Sequence, residues 1–146
     1  MSIRQRLNKT YNELNGLYHD ISVKLGLSDS ESMVMYMLYD MEEPLTQSDI
    51  VKATGLSKQT LNSAIRKLEK EEIIILEKMN EKSKIIVMTD KGQKLVEQKM
   101  KPLVEMEERV LASWTEEDRL TYLELIEKFK VQFEKEVNAY DKRKRV

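Results

Sequence analysis

The stretch Thr46–Lys84 reads TQSDIVKATGLSKQTLNSAIRKLEKEEIIILEKMNEKSK. Thr46 is followed three residues later by Asp49, a spacing typical of a helix N-cap with a capping-box partner. Gly55 tolerates the positive φ of a tight turn, and Ser57 can cap the helix that comes next. This order predicts two short helices joined by a turn.

The second of these helices has one apolar face and one polar face. Apolar residues recur at helical spacing, namely Leu61, Ala64, Ile65 and Leu68. The other face carries long or hydrogen-bonding side chains, namely Lys58, Gln59, Thr60, Asn62, Ser63, Arg66 and Lys67. A polar helix after such a turn is typical of a helix-turn-helix, whose second helix enters the major groove of DNA.

Two apolar runs follow this helix, Ile73–Leu76 and Lys84–Met88, with the polar segment Glu77–Ser83 between them. Such runs around a short polar loop predict a β-hairpin. A helix-turn-helix followed directly by a hairpin is a winged helix. The alternative is ordinary α+β packing in which the polar helix is only a solvated surface.

Two helices are predicted before this stretch. Residues 3–25 repeat apolar side chains every seven residues, and Gly26 is expected to end that helix. Ser28 with Glu31 predicts a capping box for a second helix, which Pro44 ends. The buried face of the second helix is expected to contain Met33, Val34, Met37, Leu38 and Met41.

Two more helices are predicted after the hairpin. One begins at Thr89 and runs to about Trp114, with Pro102 expected to kink or weaken it. The last is capped by Thr115 and runs to about Tyr140. We expect a mainly α fold with a small hairpin, divided into an N-terminal dimerisation helix (1–27), a winged helix (28–90) and C-terminal helices that complete the dimer interface (91–146).

Composition argues against several classes of function. The chain has 146 residues, no cysteine and one histidine, so thiol chemistry and cysteine metal sites are excluded. His19 lacks neighbouring ligands and is interpreted as a surface residue, and no Gly-rich phosphate loop is present. We therefore expect no enzyme, no cofactor and no metal. Without an apolar run of about 18 residues or an apolar N-terminus, the expected location is cytoplasmic.

Charge is distributed unevenly along the chain. The net charge is −1, yet residues 46–84 carry eight Lys or Arg against six Asp or Glu. Residues 28–43 carry five acidic residues and no basic one. This modest basic patch predicts a DNA affinity that depends on dimerisation and on base contacts more than on net charge.

The element order and two sequence segments resemble the MarR family of bacterial transcriptional regulators. The segments are LTQSDIVKATGLSKQTLNSAIRKLEKEEII (Leu45–Ile74) and IIVMTDKGQKLV (Ile85–Val96), with the TDKG step at Thr89–Gly92. The resemblance implies a homodimer that presents two reading helices to a pseudo-palindromic site in double-stranded DNA. It also implies that a small-molecule effector could release a repressor.

Two positions depart from the family pattern. The family hairpin commonly ends in Asp-Arg-Arg or Asp-Lys-Arg, where this chain has Asn80, Glu81 and Lys82. Glu81 therefore stands where an Arg would reach the minor groove. The family usually has Gly at the position of Glu72, and a left-handed backbone there would cost Glu about 1 kcal/mol.

The candidate site residues fall into two sets. Those expected to contact DNA lie at helix N-termini, on the reading helix and in the hairpin: Thr46, Gln47, Ser57, Lys58, Gln59, Thr60, Asn62, Ser63, Arg66, Lys78, Lys82 and Lys84. Those that could line an effector pocket are Tyr11, Tyr18, Met33, Tyr36, Met37 and Met100. The alternative function is a dimeric sensor or protein-interaction module that binds DNA weakly or not at all.

Overall fold

A computed structural model describes residues 1–144; Arg145 and Val146, which the predicted C-terminal region includes, lie outside the described residues. The elements are α1 (Ile3–Lys24), α2 (Asp29–Asp40), β1 (Leu45–Thr46), α3 (Gln47–Thr54), α4 (Lys58–Lys70), β2 (Ile74–Lys78), β3 (Lys84–Met88), α5 (Asp90–Ala112) and α6 (Glu116–Lys144). The predicted mainly α fold with a hairpin is confirmed.

The chain divides into two compact units. The first extends from Met1 to Val104, and the second begins at Glu105 within α5 and contains α6. None of the helices among the described residues is long and apolar enough to cross a membrane.

Local hydrogen bonds form the helix-turn-helix of α3 and α4 as predicted. The amide of Asp49 donates to Thr46 Oγ1 at 3.2 Å, and the amide of Thr46 donates to Asp49 Oδ2 at 2.8 Å. Gly55 has a φ of 71°, in the left-handed region. Ser57 Oγ then accepts from the amide of Thr60 at 3.1 Å and starts α4. The capping box thus starts α3, and the turn lies between the left-handed Gly55 and the Ser57 cap.

The core lies between α2, α3, α4, the sheet and the first half of α5. The predicted apolar face of α4 is buried in full, and the same cluster includes Val34, Leu38, Ile50 and Ile86. The expected role of Met33 is wrong, because its side chain is 38% exposed, whereas Met35 is 1% exposed. The buried face of α2 begins two residues earlier than expected, at the polar residue Glu31.

The sheet has a third strand that the sequence did not predict. The strand order is β1-β3-β2, and all pairs are antiparallel. Leu45 pairs with Ile86, and Thr46 pairs with Ile85. A strand of two residues has no periodicity to detect, yet this pairing places the first turn of α3 beside the hairpin.

Glu72 ends α4 in the conformation that glycine usually adopts. Its φ is 59°, which makes it the one residue other than glycine with a positive φ in the described chain. The amide of Ile73 donates to the Leu68 carbonyl and the amide of Glu72 to the Glu69 carbonyl, both at 2.9 Å. These two bonds define a Schellman motif. The end of α1 forms the same motif with Gly26, at a φ of 72°.

The TDKG step joins the end of α4 to the start of α5. Thr89 Oγ1 donates to the Glu72 carbonyl at 2.6 Å, and the amide of Thr89 donates to the Ile73 carbonyl at 3.0 Å. Gly92 is buried so closely against this segment that an added Cβ would lie 1.9 Å from the Ile73 carbonyl oxygen. Only glycine permits this approach, which explains the residue at that position.

Each unit exposes a helix with large apolar side chains. Every residue of the first unit up to Asp20 is exposed, including Leu7, Tyr11, Leu14 and Tyr18 on α1. In the second unit the predicted apolar face of α6 is exposed as well: Leu123, Ile126, Phe129, Phe133, Val137 and Tyr140. Helix α5 continues through Pro102, and α6 ends at Lys144, later than predicted.

Replacing Glu72 by Gly is expected to stabilise the protein by about 0.5–1 kcal/mol. Removing the strain of the left-handed backbone should stabilise the folded state by about 1–2 kcal/mol. Glycine also gives the unfolded chain more conformational freedom, which should cancel about half of that gain. Urea denaturation measures the difference. The control, Glu71→Gly, changes a residue with a φ of −81° and should destabilise. A Glu72→Gly variant less stable than the original chain would contradict this account of the motif.

Candidate nucleic-acid interface

The polar face of α4 lies opposite the core. The 3.6-residue period places Gln59, Asn62, Ser63 and Arg66 on one side of the helix, and all four are exposed. The buried residues, from Leu61 to Leu68, occupy the other side. The helix is therefore anchored by its apolar face and presents its polar face to solvent.

Three of these side chains are free to bind another molecule. Among the described residues, no hydrogen bond or ion pair holds the side chains of Gln59, Asn62 or Arg66. Amides of this kind can pair with adenine edges, and a guanidinium can pair with guanine. Three unpaired side chains at this spacing, on a helix whose opposite face packs in the core, have the geometry needed to contact base edges in a major groove.

The hydroxyl residues of the candidate set already have partners. Ser57 Oγ donates to Thr60 Oγ1 at 2.8 Å, and Ser63 Oγ donates to the Gln59 carbonyl at 3.1 Å. Thr46 Oγ1 donates to Asp49 Oδ2 at 2.9 Å. The hydroxyls of Thr46, Ser57 and Ser63 have donated their protons, so they are better suited to order the helix ends than to read bases, whereas the hydroxyl of Thr60 only accepts.

Lys70 is a residue that the sequence-based selection missed. It follows Arg66 by four residues, is exposed, and lies on the same face of α4. Its spacing of four residues from Arg66 is enough to predict its place on this face from the sequence. Lys58, by contrast, lies toward the edge of the polar face, at the first position of the helix.

The hairpin candidates lie together at its loop end. Lys78 and Lys84 are directly paired across β2 and β3, and Lys82 lies in the loop between the strands. All three are exposed, and no ion pair holds their ammonium groups within residues 1–144. Together with Gln47 at the start of α3, they line one open cleft of about 500 Å³.

Lys67 is not part of the free polar face because it is bound to Glu31. Its Nζ lies 2.8 Å from Glu31 Oε1, and the Glu31 side chain is only 7% exposed. The predicted capping box at Ser28 is therefore half correct. Ser28 Oγ accepts from the Glu31 amide, but the Glu31 carboxylate accepts from Lys67 and from the Ser28 hydroxyl, and not from the Ser28 amide.

This ion pair connects α2 to α4. Burial raises the pKa of Glu31, but hydrogen bonds from Lys67 and Ser28 outweigh that effect and leave the pKa below its ordinary value. The hydrogen bond to Glu31 raises the pKa of Lys67 in turn. The carboxylate is thus charged at neutral pH and holds the side of α4 at a fixed place on α2.

His19 forms a second link, between α1 and α2. Its Nδ1 lies 2.9 and 3.1 Å from the two carboxylate oxygens of Asp29, and this hydrogen bond raises the pKa of His19. Both side chains are more than half exposed. Within the described part of the chain, no group of three or more His, Cys, Asp or Glu is placed to hold a metal ion.

The residues proposed for an effector pocket have different environments. Met100 is fully buried in the core, whereas Tyr11 and Tyr18 lie on the exposed stripe of α1. Tyr36 and Met37 are half-buried beside the core, and Met33 is exposed. Neither the cleft at the hairpin nor the cleft on α6 is lined by any of the six. Effector binding by these residues stays a prediction.

Comparison with known proteins agrees with this geometry. A sequence model of the MarR family matches residues 25–80, which contain α2, the helix-turn-helix and β2. The helix-turn-helix and the first strand of the hairpin are thus similar to the MarR family. No similar sequence was found among curated proteins.

Solved structures of MarR-family regulators share the fold along nearly the whole chain. A MarR family regulator from Neisseria meningitidis aligns with a TM-score of 0.81 and 17% identity, covering 97% of this chain and 99% of its own. MepR of S. aureus, in complex with DNA, aligns with a TM-score of 0.69 and 21% identity, covering 91% and 98%. A MarR/EmrR family transcriptional regulator from Acinetobacter gives 0.74 and 20%, covering 92% and 99%.

The Glu31–Lys67 pair predicts a specific pH dependence of stability. Because the pKa of Glu31 is lowered by folding, its contribution is present above about pH 4.5 and is lost as the pH falls through the folded pKa. Glu31→Gln should therefore cost about 1 kcal/mol at pH 7, and this cost should shrink as the pH falls through the folded pKa of Glu31.

Urea denaturation at several pH values measures this difference. The matched control is Glu97→Gln, whose partner Lys101 lies 3.9 Å away on the exposed surface of α5. That variant should differ little from the original chain at any pH. A cost of Glu31→Gln that did not change between pH 7 and pH 3 would contradict the assignment.

Proposed function

We propose that the protein is a homodimeric transcriptional regulator that binds double-stranded DNA at a pseudo-palindromic operator. The observation that carries this proposal is the free polar face of α4. Gln59, Asn62 and Arg66 are exposed and have no partner among the described residues. They lie on the second helix of a helix-turn-helix whose two helices are both capped. Such a helix reads base edges directly. The DNA complex of MepR, a protein of the same fold, supports the same use of the winged helix.

Dimerisation is supported by the exposed apolar helices of the two units. Large aromatic and aliphatic side chains line α1 and α6, and solvated surfaces of this kind are rare on monomers. Phe129 and Phe133 stack with ring centroids 5.7 Å apart, yet each is more than half exposed. A second copy of the chain would cover these faces and present the modest basic patch of α4 twice.

The proposed mode of action is repression, in which the dimer occupies the operator. Release by a small-molecule effector is the second part of this proposal, and it rests on the MarR family resemblance. The half-buried Tyr36 and Met37 would be the first residues to test for such a ligand. We also propose a cytoplasmic location and no catalytic activity.

A protein-interaction module with weak DNA binding is the second candidate function. Glu81 in the hairpin and the net charge of −1 favour it. The salt dependence of binding distinguishes the two functions, because DNA binding releases counterions and the affinity therefore falls steeply as ionic strength rises. Fragments of the source genome incubated with the purified full chain would be retained by a regulator at low salt. Retention of no fragment would favour the interaction module.

Arg66→Ala is expected to weaken binding to a retained fragment by about 1–3 kcal/mol, because a bidentate contact to guanine is lost. Arg66→Lys keeps the charge but not the planar fork, so it should recover only part of the loss. Gel-shift titration measures both variants. Lys101→Ala is the matched control, since it removes a surface cation of α5, and it should bind normally. Unchanged affinity of Arg66→Ala would contradict the assigned role.

A further inference from the structure

The loop of the hairpin is closed by its own hydrogen bonds. The amide of Met79 donates to the Ser83 carbonyl at 3.0 Å. Asn80 Oδ1 accepts from the amides of Lys82 and Ser83, at 2.9 and 3.0 Å. The amide of Asn80 also donates to the Ser83 carbonyl, at 3.3 Å. Five residues separate the two strands, and these four bonds hold the loop together. The tip therefore has a fixed shape before any ligand is bound.

Glu81 occupies the apex of this closed loop. Its side chain is exposed, and no hydrogen bond or ion pair engages its carboxylate within residues 1–144. Lys78, Lys82 and Lys84 are its neighbours in the sequence, but none of their ammonium groups forms an ion pair with its carboxylate. The hairpin thus presents a negative charge at its tip and positive charges on its flank.

A cleft lies on that flank, between the hairpin and the first turn of α3. Its lining includes Gln47 and Ser48 on one side and Lys78 and Lys84 on the other. The pairing of β1 with β3 fixes the distance between the two sides. The amides of Gln47 and Ser48 are the first two of α3, so they have no acceptor within the helix.

Asp49 adds one negative charge near this cleft, but its carboxylate is already used. The backbone amide and then the hydroxyl of Thr46 donate to it and lower its pKa. The lining also includes Glu81, at the loop end of the cleft. Three lysines and the first amides of α3 outnumber this single carboxylate, and ammonium groups and amides are the chemistry that binds a phosphodiester.

The tip and the flank would meet DNA differently. A narrow minor groove has an enhanced negative potential that attracts cations, so it repels a carboxylate. Single phosphates on the outside of the duplex accept from ammonium groups and backbone amides. The closed loop holds the backbone of Glu81 at the tip, so the carboxylate stays at that end of the hairpin.

We propose that the hairpin binds the DNA backbone through the cleft on its flank and that Glu81 keeps its tip out of the minor groove. This inference rests on the proposed DNA-binding function and specifies how the hairpin takes part in it. Glu81 is then a specificity-determining residue, because it removes minor-groove sequence from what the protein reads.

The first experiment uses a retained genomic fragment in which 2,6-diaminopurine replaces adenine in the base pairs that flank the half-sites. This base adds an amino group to the minor groove and leaves the major-groove atoms of adenine unchanged. The original protein should bind both fragments within about twofold, since it reads no bases there. A loss of about tenfold or more, the cost of a lost base contact, would overturn the inference.

Glu81→Arg should bind the unmodified fragment several-fold more tightly and should become sensitive to diaminopurine. The matched control is Glu77→Arg, which makes the same charge change on β2 but lies outside the cleft lining. The control should gain affinity without gaining sensitivity to the modified base. Equal responses of the two variants to diaminopurine would overturn the position assigned to the tip.

The salt dependence tests the cleft itself. Lys78→Ala should reduce the slope of log affinity against log salt by about one for each protomer. The loss should be equal for all retained fragments, because a phosphate contact carries no sequence information. Lys101→Ala should leave the slope unchanged. An unchanged slope for Lys78→Ala would also overturn the inference.

The two levels of the proposal fail in different ways. A protein that retains no genomic fragment fails the proposed function, and the inference falls with it. A protein that retains fragments but loses affinity on diaminopurine substitution keeps the function and overturns the inference alone.

Discussion

The close approach of Gly92 to the Ile73 carbonyl is the contact on which the winged helix depends. It brings the start of α5 against the end of α4, where Thr89 also bonds to Glu72 and Ile73. Helix α4 therefore ends at a point fixed by backbone packing. Because Glu31 holds the side of the same helix through Lys67, its orientation is set at two places. The backbone that carries the free polar face is held as a result, which lowers the backbone part of the entropic cost of binding.

Capping and periodicity explain how much of this arrangement the sequence could predict. Thr46, Gly55 and Ser57 determine local geometry through their own backbone and side chains, so short-range reasoning located the helix-turn-helix correctly. The apolar face of α4 followed from the same logic. The DNA contacts of this face and of the hairpin stay predictions, since the fold alone does not test them.

The features that sequence reasoning missed depend on distant partners. Strand β1 exists because Leu45 and Thr46 meet β3, forty residues along the chain. The carboxylate of Glu31 looked like a capping group but binds Lys67, a partner 36 residues away. The phase of α2 was misjudged because its buried face contains Glu31, which a search for apolar residues ignores. Local patterns do not encode such pairings.

Charge and assembly fit one mechanism. A single chain has a weak basic patch and an acidic hairpin tip, which would give little affinity for DNA. Two copies joined through α1 and α6 would double the reading face. The specificity would then come mainly from Gln59, Asn62 and Arg66, and the hairpins would supply contacts to phosphates.

Hydroxyl-radical footprinting of the protein on a retained fragment tests the central claim most directly. The account predicts two protected half-sites related by two-fold symmetry, with centres about 10 base pairs or a multiple apart. In Phe133→Glu, which places a charge on the apolar face of α6, both half-sites should be lost together, whereas Lys135→Glu on the opposite side of the same helix should keep them. A single protected half-site, bound equally well by Phe133→Glu, would contradict the account.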